Sequence, residues 1–283
     1  MSISKHWTVS KNFVAKINRA RVVSSRILRC SVTFLSTVIL FWSQSRVECQ
    51  PWTKLDRGLN LGQFVSPQKY FKSDAPITIL KIDPAFYSLK LLSASEHGRN
   101  PRTIKEWCND FRLLAAINAS MYQNEDPLKS TGYMKNYDHI NNAHFNPIFG
   151  AFIVFNPIDA SYPGVQIVDR RLQNNRKGVI EKYDTVIQNY RMISKGKRRG
   201  WPQQQRLYSN AAIGMDKGHN VLFIYSRAPF STHDFIHTLL SLPINIQNAM
   251  YLEGGPEATL HINLDEIDRA AEKAAGTGFT EYY

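Results

Sequence analysis

The chain has 283 residues, 43% of them hydrophobic, enough to bury one sizeable core with a small appendage, and its formal net charge is +12. Such a charge points to nucleic acid, but its placement argues against that class. Residues 1–47 hold Lys5, Lys11, Lys16, Arg19, Arg21, Arg26, Arg29 and Arg46 and no Asp or Glu, so removing these eight leaves only +4 and no nucleic-acid partner is expected.

In chain order, this basic leader runs into the uncharged stretch Cys30–Ser45, CSVTFLSTVILFWSQS. A positive segment followed by an apolar one is the pattern of an export signal or an N-terminal membrane anchor. The apolar part is short against the roughly 20 residues of a comfortable span, and Ser43-Gln44-Ser45 is a weak cleavage candidate. The expected organisation is therefore a leader over 1–47 and a domain over 48–283. The expected location is exported, either periplasmic or anchored in the inner membrane facing the periplasm, with the membrane as a partner if the leader is uncleaved. Cys30 lies in the leader; Cys49 and Cys108 either pair in an oxidising compartment or stay free.

The body reads as short strands with a few helices. Ile77–Asp83 and Tyr87–Leu92 suggest a hairpin around Asp83-Pro84, and Thr103 with Glu106 has capping-box spacing ahead of a helix reaching Phe111. The apolar run Leu113–Ile117 leads into Asn118-Ala119-Ser120-Met121-Tyr122. A long polar stretch, 123–146, then reads as a loop before the strand Phe149–Phe155. Asn210–Asp216 and Asn220–Tyr225 flank a turn at Lys217-Gly218-His219. A helix from Ser231 to Leu242 separates the Ile224 strand from the Met250 strand, which suggests one βαβ unit. The fold class this predicts is α/β (α+β): a mixed, strand-rich sheet with packed helices in a single catalytic-type domain.

Charge is uneven in the body as well. Between Asp169 and Arg206 there are eleven Lys/Arg against three acids, a local net charge of +8, which leaves −4 for the rest of the body. Such a segment is either a solvated basic loop or an attractor for an anionic substrate or envelope polymer.

Chemistry concentrates at Met250-Tyr251-Leu252-Glu253-Gly254-Gly255-Pro256-Glu257. An apolar strand ends there in a carboxylate, two glycines that let backbone N–H groups approach a ligand, and a second carboxylate. Two carboxylates at close range push one pKa upward, giving an acid and a base from one motif. Glu253 is the first candidate for the catalytic carboxylate, against a role capping its own turn, and Glu257 either shares the work or supports it. Asn118, at a strand end, could donate and accept toward a ligand or orient a turn, and Asp216 could touch a ligand or shape its hairpin. Arg227 is a candidate anion fork or a surface ion-pair partner; Tyr122 and Tyr133 could stack on a ligand or serve as packing anchors. His139, His144 and His261 have no zinc-type spacing, while Asp138-His139 or Glu253 with Glu257 could offer oxygen ligands to calcium or magnesium. No G-x-S-x-G, P-loop or G-x-G-x-x-G occurs, which removes the main support for serine-hydrolase and nucleotide chemistry.

Four blocks in order resemble the phosphodiester glycosidase family: Ala115–Tyr122, Ser130-Thr131-Gly132-Tyr133, Ala211–Asp216 with Gly218, and Leu252-Glu253-Gly254-Gly255. The sequence departs from the family pattern in having Glu253 for the usual Asp, Pro256-Glu257 for Gly-Ser, and Ala119-Ser120 for two glycines. The resemblance implies a hydrolase acting on a glycosyl-phosphodiester or related glycosidic bond in envelope glycans. A sugar-phosphate or glycan would be its substrate, with Gly132, Gly254 and Gly255 beside it. The resemblance fixes no cofactor and leaves a divalent cation, calcium or magnesium, as an option. The alternative is a carbohydrate or envelope-polymer binding module that keeps the fold without the chemistry.

Overall fold

The structure, a computed structural model, describes residues 6–11, 52–66, 75–172 and 176–275, all of which belong to one folding unit. The apolar run Cys30–Ser45, Cys30, Cys49 and most of the leader lie outside the described residues. In chain order the elements are β1 (His6–Lys11), β2 (Trp52–Asp56), β3 (Leu59–Phe64), β4 (Ile77–Ile82), β5 (Tyr87–Leu92), α1 (Ile104–Asp110) and β6 (Ala115–Asn118). There follow β7 (Met134–Asn136), β8 (His139–Asn142), β9 (Ala151–Pro157), β10 (Val165–Asp169), α2 (Arg176–Ile180), β11 (Tyr183–Asn189), β12 (Arg191–Ser194) and β13 (Lys197–Arg198). The chain then runs through β14 (Tyr208–Asp216), β15 (Val221–Phe230), α3 (Thr232–Ser241), β16 (Ile246–Gly254), a 3-10 turn at Gly255–Glu257, β17 (Leu260–Ile262) and α4 (Leu264–Ala275).

The strands form three sheets, in the orders β13-β12-β16-β14-β15-β4-β3-β2, β10-β9-β11-β7-β8 and β17-β6-β1-β5. Every ladder among the described residues is antiparallel. The result is the strand-rich α+β domain that the alternation of short strands and few helices predicts. One detail differs. Strands β15 and β16 do run the same way around α3, but β14 lies between them, so the βαβ unit makes no parallel ladder.

Both faces of the eight-stranded sheet are covered, which explains its nearly continuous apolar runs. Leu80, Ile213, Phe223, Met250 and Leu252 pack with Leu89, Ile117, Ile153 and Ile187 from the other two sheets. Their sequence neighbours Ile79, Ala212, Ile224 and Tyr251 face the opposite way, toward Phe235, Ile236 and Leu239 of α3. This alternation is the two-residue period of a pleated strand. Helix α1 starts with the expected capping box: Thr103 donates its N–H to Glu106 Oε2 at 2.6 Å, and Glu106 N–H returns to Thr103 Oγ1 at 3.3 Å.

Two stretches read from the sequence as loops are structured. The polar segment 123–146 contains the β7–β8 hairpin, because its polar side chains are satisfied internally: Asn136 Nδ2 donates to Glu96 Oε1 at 2.9 Å and Thr185 donates to Asn136 Oδ1 at 2.9 Å. The basic segment 169–206 contains β11, whose residues Thr185–Asn189 are all buried between β9 and β7. Lys and Arg fall on its flanks. Cys108 is buried and free, and burial pushes its thiol up to about 12, where it carries no nucleophilic charge near neutrality.

Candidate active site

The carboxylate motif sits at a β-bulge. Along β14, Ala212 pairs with Tyr251 while the next residue, Ala211, pairs with Glu253, so Leu252 is the extra residue on β16. A bulge frees a carbonyl from the ladder, and here Asn189 Nδ2 takes it, donating to Leu252 O at 3.2 Å. The same amide lies 3.4 Å from Ser120 Oγ, which in turn accepts from Ser130 Oγ at 3.4 Å. Asn189, Ser120 and Ser130 are all at most 2% exposed. This buried chain ties the ends of β6 and β11 to the bulge that re-aims Glu253.

Glu253 is largely buried and partly solvent-accessible. Its Oε1 accepts the N–H of Gly254 at 3.0 Å. Loss of hydration is the dominant influence on its pKa and raises it, the Gly254 bond pulls the other way, and the charge of Glu257 raises it again; the carboxyl is pushed up to about 7. Beside it lies a cleft of about 270 Å³ lined by Arg206, Tyr208, Tyr251, Gly254, Gly255, Pro256 and Glu257. Glu257 stands in the cleft wall and accepts from the Tyr122 hydroxyl at 3.2 Å. Glu253 is not itself in that wall; the backbone its carboxylate holds is. Burial above all, then the nearby Tyr208, Glu253 and Glu257, push Tyr251 upward against the influence of Arg206, so its hydroxyl stays a neutral donor.

The turn is tight for a reason. Gly255 has φ +75°, which favours glycine, and its carbonyl accepts from Ser209 Oγ. Gly254 is extended (φ −138°), but a Cβ there would overlap the Tyr251 hydroxyl and lie 2.7 Å from Tyr208 Cδ2. Both glycines are thus set by sterics of the site.

The remaining candidates divide cleanly. Asn118 ends β6 with its Oδ1 accepting Thr259 N–H at 3.2 Å, two residues beyond Glu257, so it orients the strand returning from the motif. Its Nδ2 is buried and finds no partner among the described residues. Tyr122 joins the site through Glu257. Asp216 does not join it. It pairs with Ile246 at the far end of β16, roughly 20 Å along the strand from Glu253. There it accepts from Asn220 N–H at 2.9 Å and closes the hairpin, whose left-handed residue is His219 (φ +64°). Arg227 is exposed on β15 at the same end as Glu253 but two strands away, about 10 Å. Tyr133 lies in another cleft, stacked on Phe145 with centroids 4.1 Å apart. Gly132 is buried where a Cβ would sit 2.7 Å from Gln188 O, so it serves packing.

For metals, His139 Nε2 is occupied with Ser95 Oγ at 3.0 Å, and Asp138-His139 belong to the β7–β8 hairpin. No group of three or more His, Cys, Asp or Glu able to hold an ion occurs among the described residues. Two carboxylates at the motif are few beside the roughly six to eight oxygens of a typical calcium site.

Sequence reasoning did not pick out Asn189, Ser130, Tyr208 or Arg206 as site residues. Asn189 and Arg206 lie within the basic stretch, where charge masks the strand pattern.

The sequence profile described as phosphodiester glycosidase matches residues 111–279. No curated protein matches the chain. Among solved structures, a hypothetical protein from Synechocystis is similar with TM-score 0.56 and 15% identity, covering 75% of this chain and 59% of its own length. The zebrafish N-acetylglucosamine-1-phosphodiester alpha-N-acetylglucosaminidase catalytic domain, auto-inhibited by its pro-peptide, is similar with TM-score 0.52 and 14% identity, covering 73% of this chain and 74% of its own. The chain belongs to the phosphodiester glycosidase family, a family of hydrolases.

Proposed function

We propose that the chain is a hydrolase that cleaves the bond between a sugar carbon and a phosphodiester oxygen in an envelope glycan. The observation that carries this is the largely buried carboxyl of Glu253 next to a cleft that holds a second carboxylate, a neutral Tyr251 hydroxyl and the cation of Arg206. In the reaction the C–O bond breaks and its electron pair leaves with a phosphate monoester, a weak base needing little protonation. Water adds at the sugar carbon and gives its proton to the Glu253 carboxylate. Arg206 balances the negative charge of the departing phosphate, and Tyr251 donates to the sugar or the leaving oxygen.

The sign of the pH dependence follows. Glu253 works ionised, so kcat/KM on an N-acetylglucosamine 1-phosphodiester is expected to rise with a midpoint near pH 7, the value to which burial pushes this carboxyl. Release of phosphate monoester measured from pH 5 to 9 checks it. A rate that falls through pH 7, or no release from any glycosyl-phosphodiester, overturns the reading.

We also propose that the leader directs export, because it combines eight basic residues, no acid over 1–47 and the apolar run Cys30–Ser45. Among the described residues no helix is long and apolar enough to cross a membrane. Fractionation of expressing cells should put the chain in the periplasm or the inner membrane; a full-length chain confined to the cytosol refutes export.

A further inference from the structure

The basic segment builds a second cleft. About 710 Å³ in volume, it is lined by Arg170, Arg171, Arg191 and Arg199 and by the rings of Tyr190 and Trp201, and no acidic residue lines it. Two of the four guanidinium groups are already engaged. Arg170 donates to Asn146 O at 3.2 Å and Pro147 O at 2.6 Å, and Arg191 pairs with Asp169 at 2.6 Å. Burial alone would raise the Asp169 carboxyl, but hydrogen bonds from Ser194, from Arg171 N–H at 2.8 Å and from Arg191 outweigh it and hold the group below the usual range. Arg199 is different. Its Nε is buried and donates to no partner among the described residues, and the same is true of Arg191 Nε. Buried N–H groups of a charged side chain are costly when unsatisfied. An oxyanion in the cleft would meet the outer guanidinium N–H groups of these arginines, whose fork matches phosphate oxygens in pairs.

The cleft continues toward Glu253 along an aromatic wall. Trp201 lies 5.1 Å from the ring centroid of Tyr190 and 5.4 Å from that of Tyr251, and Tyr251 lines the Glu253 cleft. Trp201 is fixed in place: its Nε1 donates to Arg191 O at 2.9 Å, and Gly200 and Trp201 both turn through positive φ (+67° and +59°). A saccharide lying on this wall would carry charge at Arg206 and again at Arg199.

We propose that the arginine cleft is a subsite for a second phosphate, so that the substrate class is a glycan with repeated phosphodiesters rather than a small molecule with one. This rests on the hydrolase reading above, and the test separates the two. Calorimetric titration of the full chain compares the methyl phosphodiester of a sugar 1-phosphate with its homologue bearing one further phosphodiester. In the wild type the added phosphate should tighten binding about tenfold, equivalent to about 1.4 kcal/mol. Arg199→Gln should bring the affinity ratio of the two ligands close to one, and Arg199→Lys, which keeps charge but loses the fork, should give a smaller gain than wild type. The control Lys197→Gln, an exposed residue of β13 outside both clefts, should leave the ratio at its wild-type value. If Arg199→Gln does not fold, Arg199→Lys carries the comparison. A wild-type ratio near one, failure to bind the two-phosphate ligand, or an unchanged ratio in the Arg199 variants overturns the subsite, even where both ligands are hydrolysed. Binding with the expected ratio but no hydrolysis keeps the subsite and removes the hydrolase.

Discussion

Glu253→Gln is expected to lower kcat/KM by roughly a thousandfold while raising stability at alkaline pH. Glutamine keeps the shape and an oxygen to accept the Gly254 N–H, so the turn should persist. What it removes is the ionisable group. In the folded chain that group holds its proton up to about pH 7, against about 4.5 for an ordinary glutamate. A carboxyl whose folded pKa is raised binds protons more tightly folded than unfolded, so stability falls as pH rises from about 4.5 to 7 and stays lower above it. Partial solvent access trims the effect, which should be on the order of 2 kcal/mol. The variant should therefore unfold later than wild type at pH 8 and together with it at pH 4, measured by urea denaturation. Full activity in Glu253→Gln would remove this residue from the reaction, and equal stability at pH 8 would mean its carboxylate is better hydrated than its surroundings suggest.

The second large effect is expected at Gly254→Ala. Backbone strain is not the cause, since φ −138° suits alanine. The added methyl overlaps the Tyr251 hydroxyl and crowds the Tyr208 ring, and Tyr251, only 6% exposed, has nowhere to swing. Overpacking of this kind costs about 1–3 kcal/mol, and displacing Tyr251 should cut activity at least about tenfold by misplacing a donor. The double variant Gly254→Ala/Tyr251→Phe removes the overlapped hydroxyl and should recover part of the stability but not the activity. Thermal denaturation beside phosphate release distinguishes the two contributions. If the double variant is as unstable as the single one, the crowding arises elsewhere.

Local chemistry was legible in the sequence, and long-range chemistry was not. Thr103 and Glu106 announce a helix start because both partners of the capping box lie within one turn. The Asp216 hairpin and the strand ending at Glu253 are likewise marked by residues a few positions apart. The pairing of Asn189 with Ser120 joins residues 69 apart and leaves no trace in spacing. The sequence leaves Asp216 either touching substrate or shaping its hairpin, and only the sheet decides between them: Asp216 closes β14 and Glu253 stands near the close of β16. In β14 and β16, which run opposite ways, those are opposite ends of one sheet. Arg206 was counted only as one charge among eleven, although it lines the cleft beside Glu253 together with Glu257. Strand β11 was hidden by its basic flanks, because mean polarity over a window outweighs five buried residues in a row.

Strand β1 ties the fate of the leader to the completeness of a sheet. Val9 pairs with Leu89 on one side and Ala115 on the other, so these six residues occupy the middle of the four-stranded sheet. They must then share a compartment with β5 and β6. A bilayer crossed by residues 30–45 would hold them on its opposite side, and the edges of β5 and β6 that face each other would be left open to another strand. If residues 30–45 do thread a bilayer, threading and strand insertion compete for one segment, and whichever comes first during synthesis would decide which form of the sheet results.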